Sequence, residues 1–144
     1  MPMEIAQIRR RVQVRLADLK RAAAERRETA AAAERAYGSF LATVATPTLH
    51  AVAQSLSAEG YPYKVTTPGN AVRMVSDRSG RTYLEIRLDT AGREPQLVAQ
   101  IGRERGSRVL EDERPICEGL AIGAVTDEHL LAALLDLLPE LIER

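Results

Sequence analysis

Tryptophan is absent, phenylalanine occurs once and tyrosine four times in 144 residues, so any folded core has to be assembled from aliphatic side chains and alanine. The lone cysteine, Cys117, excludes a disulfide within the chain and any zinc site built from several thiolates. It agrees with a reducing compartment. Net charge is missing too: 20 Lys plus Arg stand against 20 Asp plus Glu, and overall balance draws the chain to neither nucleic acid, an anionic membrane nor an acidic substrate. No run approaches the roughly 18 apolar residues of a membrane span. The opening MPMEIAQIRRRVQVR sets arginines where a secretory leader needs an apolar stretch. A cytoplasmic protein without membrane contact is expected. Among the basic residues all but Lys20 and Lys64 are arginine, and alanine is abundant, a compositional bias of the kind seen in GC-rich bacterial genomes.

Catalytic motifs are equally scarce. His50 and His129 are the only histidines, and no H-E-x-x-H, histidine–cysteine cluster or regular carboxylate spacing marks a metal site. Nothing in the sequence places Cys117 beside a histidine as nucleophile and base. The Gly102-Arg103-Glu104-Arg105-Gly106 segment lacks the lysine and hydroxyl residue of a phosphate loop and reads as a charged hairpin turn. No catalytic residue, no metal and no cofactor is expected.

What the chain does have is helix-forming residues in a long block. Residues 4–44 contain no proline and only Gly38, and are dominated by Ala, Arg, Glu and Leu. Their apolar positions step by four and three through Val12, Leu16, Leu19, Ala23, then Arg26, Ala30, Ala33, Tyr37, Phe40 and Val44, the spacing of a coiled coil or of a helix laid against another long helix. Alanine makes the seam thin between Ala23 and Ala33, and Arg26 demands solvent or a snorkelling exit. A helix of this length cannot lie wholly on a domain made from the remaining hundred residues. Residues 1–45 are therefore expected to project in part and to pair with a second copy through Val12, Leu16, Leu19, Tyr37 and Phe40. A hairpin broken near residues 27–29 and ordering by a partner are the alternatives. Arg9, Arg10 and Arg11 form a short basic cluster beside this seam.

Residues 46–144 read as a compact α+β domain. Thr46-Pro47 looks like a helix restart, with Leu49, Val52, Ala53 and Leu56 on one face of a short second helix that Gly60 stops. The period then changes to two. Tyr63 and Val65, Val72 and Met74, Leu84, Ile86 and Leu88, then Leu97, Ala99 and Ile101 line the inner face of a four-stranded antiparallel meander, punctuated by Pro68-Gly69-Asn70 and Asp77-Arg78-Ser79-Gly80. Residues 108–111 would at most extend the sheet. Thr126 caps a last helix packed on the sheet, with Asp127 and Glu128 at the positive end of its dipole and Pro139 kinking or ending it. That helix carries more leucines than one face holds, so Leu131, Leu135, Leu138 and Ile142 are expected at an interface.

Zero net charge conceals a dipolar chain. Residues 1–45 and 60–110 each carry nine basic against five acidic side chains, whereas residues 111–144 carry two against nine. Arg73, Arg78, Arg81, Arg87, Arg103, Arg105 and Arg108 gather on the meander and its turns as candidate contacts for an anion or an acidic partner, with Arg73 and Arg87 facing away from the apolar side. Tyr61, Tyr63 and Tyr83 are candidates for a small pocket. The sequence points to a non-enzymatic, homodimeric interaction or adaptor protein. One alternative is a dimeric nucleic-acid-binding regulator using arginines of the meander and the first helix; another is an enzyme or binding protein for a small anionic ligand.

Overall fold

The computed structural model describes residues 1–92 and 94–142. Helix α1, Ile5–Phe40, passes through a single π turn, Leu41–Ala45, into α2, Thr46–Ala58. Five strands follow among the described residues: β1 Tyr63–Thr66, β2 Val72–Ser76, β3 Tyr83–Asp89, β4 Gln96–Arg105 and β5 Arg108–Pro115. They pair antiparallel in sequence order as one meander. A short 3-10 turn, Ile122–Ala124, leads to α3, Asp127–Ile142. The helices cover one face of the sheet, giving a two-layer α+β fold.

Alternation along the strands determines which face is covered. Register places Val65 opposite Met74, Met74 opposite Leu84 and Leu84 opposite Ile101, and sets Val72, Ile86 and Ala99 in the neighbouring row. Against these rows pack Tyr37, Phe40, Leu49, Leu56, Leu130 and Leu134. Leu49, Val72, Leu84, Ile86 and Leu130 are sealed from solvent, and each is worth roughly 1.5–3 kcal/mol in transfer free energy. As the composition requires, only tyrosine and Phe40 supply rings to this core.

Three expectations need correction, the first being the charged turn anticipated at residues 102–106: Gly102 through Arg105 belong to β4, paired with β5, and the turn is confined to residues 106–107. The sheet also has a fifth strand, where four were anticipated with at most a short extension at residues 108–111. β5 escapes the alternation test because it is an edge strand in which no side chain is buried. Its inward row holds Asp112 and Arg114 in place of apolar residues, and Arg114 reaches across to ion-pair with Glu140 of α3. The charges and Pro115 also blunt the edge against pairing with another strand. The third correction concerns Thr46-Pro47. Ala45 and Thr46 both keep right-handed helical dihedrals and no side chain caps the junction, so the chain runs on as one rod instead of restarting. Pro47 lacks the N–H that would bond back into the preceding turn. The Thr46 N–H donates to the Leu41 carbonyl, five residues back, and the π turn absorbs the mismatch.

The last helix starts as expected. Thr126 Oγ1 accepts the His129 N–H, while His129 Nδ1 accepts the Thr126 N–H, a reciprocal cap. Pro139 does not end it, since the helix runs on to Ile142.

Two phenols join the layers. Tyr37 donates to the Asn70 carbonyl at 2.6 Å, and Tyr63 donates to the Leu141 carbonyl at 2.7 Å. Burial pushes both up to about 12, with Glu85 adding to the effect at Tyr37. A phenol harder to ionise in the folded state than in the unfolded one favours folding below its unfolded value near 10 and loses that contribution as pH climbs. Stability should therefore fall between pH 10 and 12. Urea midpoints measured across this range should decline for the parent and flatten in Tyr37→Phe/Tyr63→Phe.

Candidate interaction surfaces

Side chains of α1 through Arg21 are exposed, whereas Ala22, Ala23, Ala30, Ala33, Tyr37 and Phe40 turn toward the domain. The apolar seam does not stop where the domain does. Ile5, Ile8, Val12, Leu16 and Leu19 continue it into solvent, with Leu16 at 49% and Leu19 at 47% exposure. Glu4 and Gln7 close the start of this arm with a capping box. Residues 1–21 carry six basic and two acidic side chains. Of the five residues proposed for a helix contact, Val12, Leu16 and Leu19 thus lie free on the arm, while Tyr37 and Phe40 are buried in the chain's own core.

At the other end of the rod, α2 and α3 leave an open groove of about 620 Å³ between their outer faces. Thr43, Pro47, Thr48, Ala51, Val52 and Ser55 form one wall and Leu131, Leu135 and Leu138 the other. Leu135 is 54% exposed. Glu59, Asp127 and Glu128 stand at the rim, and no basic side chain lines the groove among the described residues. Tyr63 ties the end of α3 to the strand that follows α2, so the two helices run in the same sense. Asp127 and Glu128 therefore lie toward the Thr43 end and Glu59 toward the opposite end. Ile142, grouped with these leucines on sequence grounds, instead borders a cleft with Tyr61, Tyr63, Arg78 and Arg105.

The uncovered face of the sheet is less basic than its arginine count implies. Arg73 pairs with Glu85 at 3.0 Å and lies over the Tyr83 ring at 4.2 Å. Arg87 pairs with Glu113 on β5. Arg81 reaches Glu104 and the Ser107 carbonyl, and Arg78 donates to the Gly60 carbonyl. Tyr83 and Glu85 are buried at 8% and 7% exposure, so the middle of this face is a packed polar cluster. Arg103, Arg105 and Arg108 sit at the far end of the β4–β5 hairpin without an ion-pair partner among the described residues.

No protein-family model, curated protein or solved structure matches the chain. Among the described residues no group of His, Cys, Asp and Glu is arranged to hold a metal ion, and no helix is long and apolar enough to cross a membrane. His50 is exposed, and His129 is engaged in the α3 cap. Cys117 is half-buried in a left-handed backbone conformation, φ 54°, and burial pushes its thiol up from the ordinary value, which disfavours the reactive thiolate. The α2 wall of the groove was not foreseen. Val52, expected on the inner face of α2, stands half-buried on this wall; the threonines and serine beside it carry no amphipathic signal, and only the surplus leucines of α3 point to something facing them.

Proposed function

We propose that this chain is a non-enzymatic, cytoplasmic interaction or adaptor protein that self-associates as a homodimer, with the projecting half of α1 as its contact element. The observation that carries this reading is the stripe Ile5, Ile8, Val12, Leu16 and Leu19, which continues the buried seam of α1 into solvent without cover. A helix of this length gains most of its stability from packing an apolar face, and a second copy supplies the missing surface. The single, half-buried cysteine suits a reducing compartment. Nucleic-acid binding through the meander is the weaker reading, because Arg73, Arg81 and Arg87 are each neutralised by a carboxylate.

Light scattering coupled to size exclusion tests it. The parent should elute as a dimer free of nucleic acid, and Leu16→Glu/Leu19→Glu should shift it to a monomer whose circular dichroism and urea midpoint match the parent's. Both side chains are exposed, so the substitution leaves the core intact. An unchanged mass would overturn the contact element, and nucleic acid that co-elutes and is released by salt would favour the arginine reading.

A further inference from the structure

The dimer reading leaves open how two arms meet, and the inference here rests on that reading. The stripe lies on the face of α1 that the chain's own domain covers farther along, at Ala23, Ala30, Ala33 and Tyr37. A second rod laid on that face can extend only as far as the domain leaves it open. Burial sets the limit: every side chain through Arg21 is exposed, and cover begins at Ala22 and Ala23. Parallel rods with their stripes face to face would drive both domains into the same space. Opposed rods avoid this when they overlap along the arms alone.

The spacing of the stripe gives that overlap. Ile5, Ile8, Val12, Leu16 and Leu19 step by three, four, four and three, an order that reads the same from either end. An antiparallel copy turned about a two-fold axis at Val12 sets Ile5 opposite Leu19, Ile8 opposite Leu16 and Val12 opposite itself, and no apolar layer is left unmatched. In this register the partner's residue 1 ends level with residue 23, about 17 Å from Val12. Its helix, which starts at Ile5, stops level with Leu19, before the domain begins to cover α1. The short lead that precedes it reaches the level of a cleft of about 760 Å³ bordered by Ala22, Ala23, Arg26, Thr90, Gly92 and Pro95. The exposed stretch 1–21 is itself centred at residue 11, one residue from Val12. Spacing and burial thus set the same midpoint.

Charge favours the same sense. Residues 1–21 carry six basic against two acidic side chains, and parallel arms would hold each cation level with its own counterpart, which repels. Reversal about Val12 moves Arg9 and Arg15 about 9 Å along the axis from their counterparts and Lys20 about 24 Å. Arg9 and the partner's Arg15 share a level but border opposite edges of the stripe.

We infer that residues 5–19 of two copies form a two-fold antiparallel helix pair centred on Val12, with the two domains at opposite ends and on opposite sides of it. The interface is isologous and closes at two copies.

The experiment uses full-length chains in a Cys117→Ser background, treated with a short bifunctional maleimide. Ile5→Cys alone and Leu19→Cys alone should give no cross-linked dimer, because like positions lie about 21 Å apart. A mixture of the two should. A second measurement follows dimer dissociation. Ile8→Lys and Leu16→Glu should each weaken the dimer by about tenfold or more, and the double variant should recover about tenfold relative to the summed losses, because the introduced ammonium and carboxylate face each other across the axis. Sodium chloride should tighten the parent dimer by screening the excess positive charge of the arms. Ile5→Cys that cross-links to itself, a mixture that gives no product, or a double variant without recovery would overturn the antiparallel register and leave self-association standing. A dimer that sodium chloride loosens would make an oppositely charged surface the arm's contact and overturn the pair of arms. A parent that stays monomeric at high concentration, or a dimer indifferent to Leu16→Glu, would overturn both readings.

Discussion

An alanine inserted between Ala42 and Thr43 is expected to cost roughly 3–6 kcal/mol, whereas deletion of Ala42 leaves stability close to the parent's. The asymmetry comes from phase. Tyr37 and Phe40 face the core on α1, and a regular helix continuing from them would turn residues 44, 48, 52 and 55 inward. The buried residues are instead Ala45, Leu49, Ala53 and Leu56, each one position later. The π turn holds that one extra residue. Deleting Ala42, whose side chain is exposed, allows a regular α-helix in which Leu49, Ala53 and Leu56 still meet the sheet. A second extra residue turns α2 by about 100° and carries Leu49 and Leu56 out of the core, each leucine worth roughly 1.5–3 kcal/mol. Against the 5–15 kcal/mol that typically holds a domain together, this is a large share. Urea midpoints followed by far-ultraviolet circular dichroism decide the matter. If insertion is tolerated as well as deletion, the π turn is a flexible joint and not a phase adjuster.

The same joint explains part of what the amino-acid sequence conceals. Its periodicities expose the long helix, the inward rows of β2 to β4 and the cap of α3, because each writes burial onto a regular spacing. Residue 45 onward breaks the spacing set by Tyr37 and Phe40, and Thr46-Pro47 carries the residues of a helix start. Chemistry that ordinarily begins a helix is here accommodated within one, by a wider turn that leaves no gap in the rod. β5 was illegible for a different reason. A strand is recognised by the side it buries, and β5 buries neither; its eight residues are held by backbone bonds to β4 and by Arg114 reaching Glu140. The interaction surfaces divide the same way. Val12, Leu16 and Leu19 stood out as a seam, but their equivalence in spacing to Tyr37 and Phe40 hid that the latter pair is consumed by the chain's own core. Most of the α2 wall of the groove is threonine, serine and alanine, which acquire meaning only once α3 lies beside them.

Gly102→Ala should destabilise the protein by about 1–3 kcal/mol although the backbone there needs no glycine conformation. The reason is space. A Cβ at Gly102 would lie 2.2 Å from the Tyr83 ring, with two more ring atoms within 2.9 Å. Register sets the two residues directly opposite on β3 and β4, so the ring lies across the glycine on the uncovered face of the sheet. It cannot simply swing aside without loss, because Arg73 stacks over it and pairs with Glu85. Displacing the ring exposes Tyr83 and removes the cation–π contact, itself worth about 0.5–1 kcal/mol at a partly exposed site. A double-mutant cycle isolates this cause. In a Tyr83→Ala background the obstructing atoms are gone, and Gly102→Ala should then be nearly neutral or slightly stabilising through its lower unfolded-state entropy. Equal losses in both backgrounds would mean that Gly102 matters for some reason other than the ring. The charge consequence follows from the same geometry. While Tyr83 lies over Gly102, Arg73 stays bound to Glu85 and the centre of this face stays neutral; with the ring displaced, Arg73 loses its cover. Any rise in polyanion affinity in Gly102→Ala would then measure how far packing, and not composition, keeps the meander's arginines from acting as a basic surface.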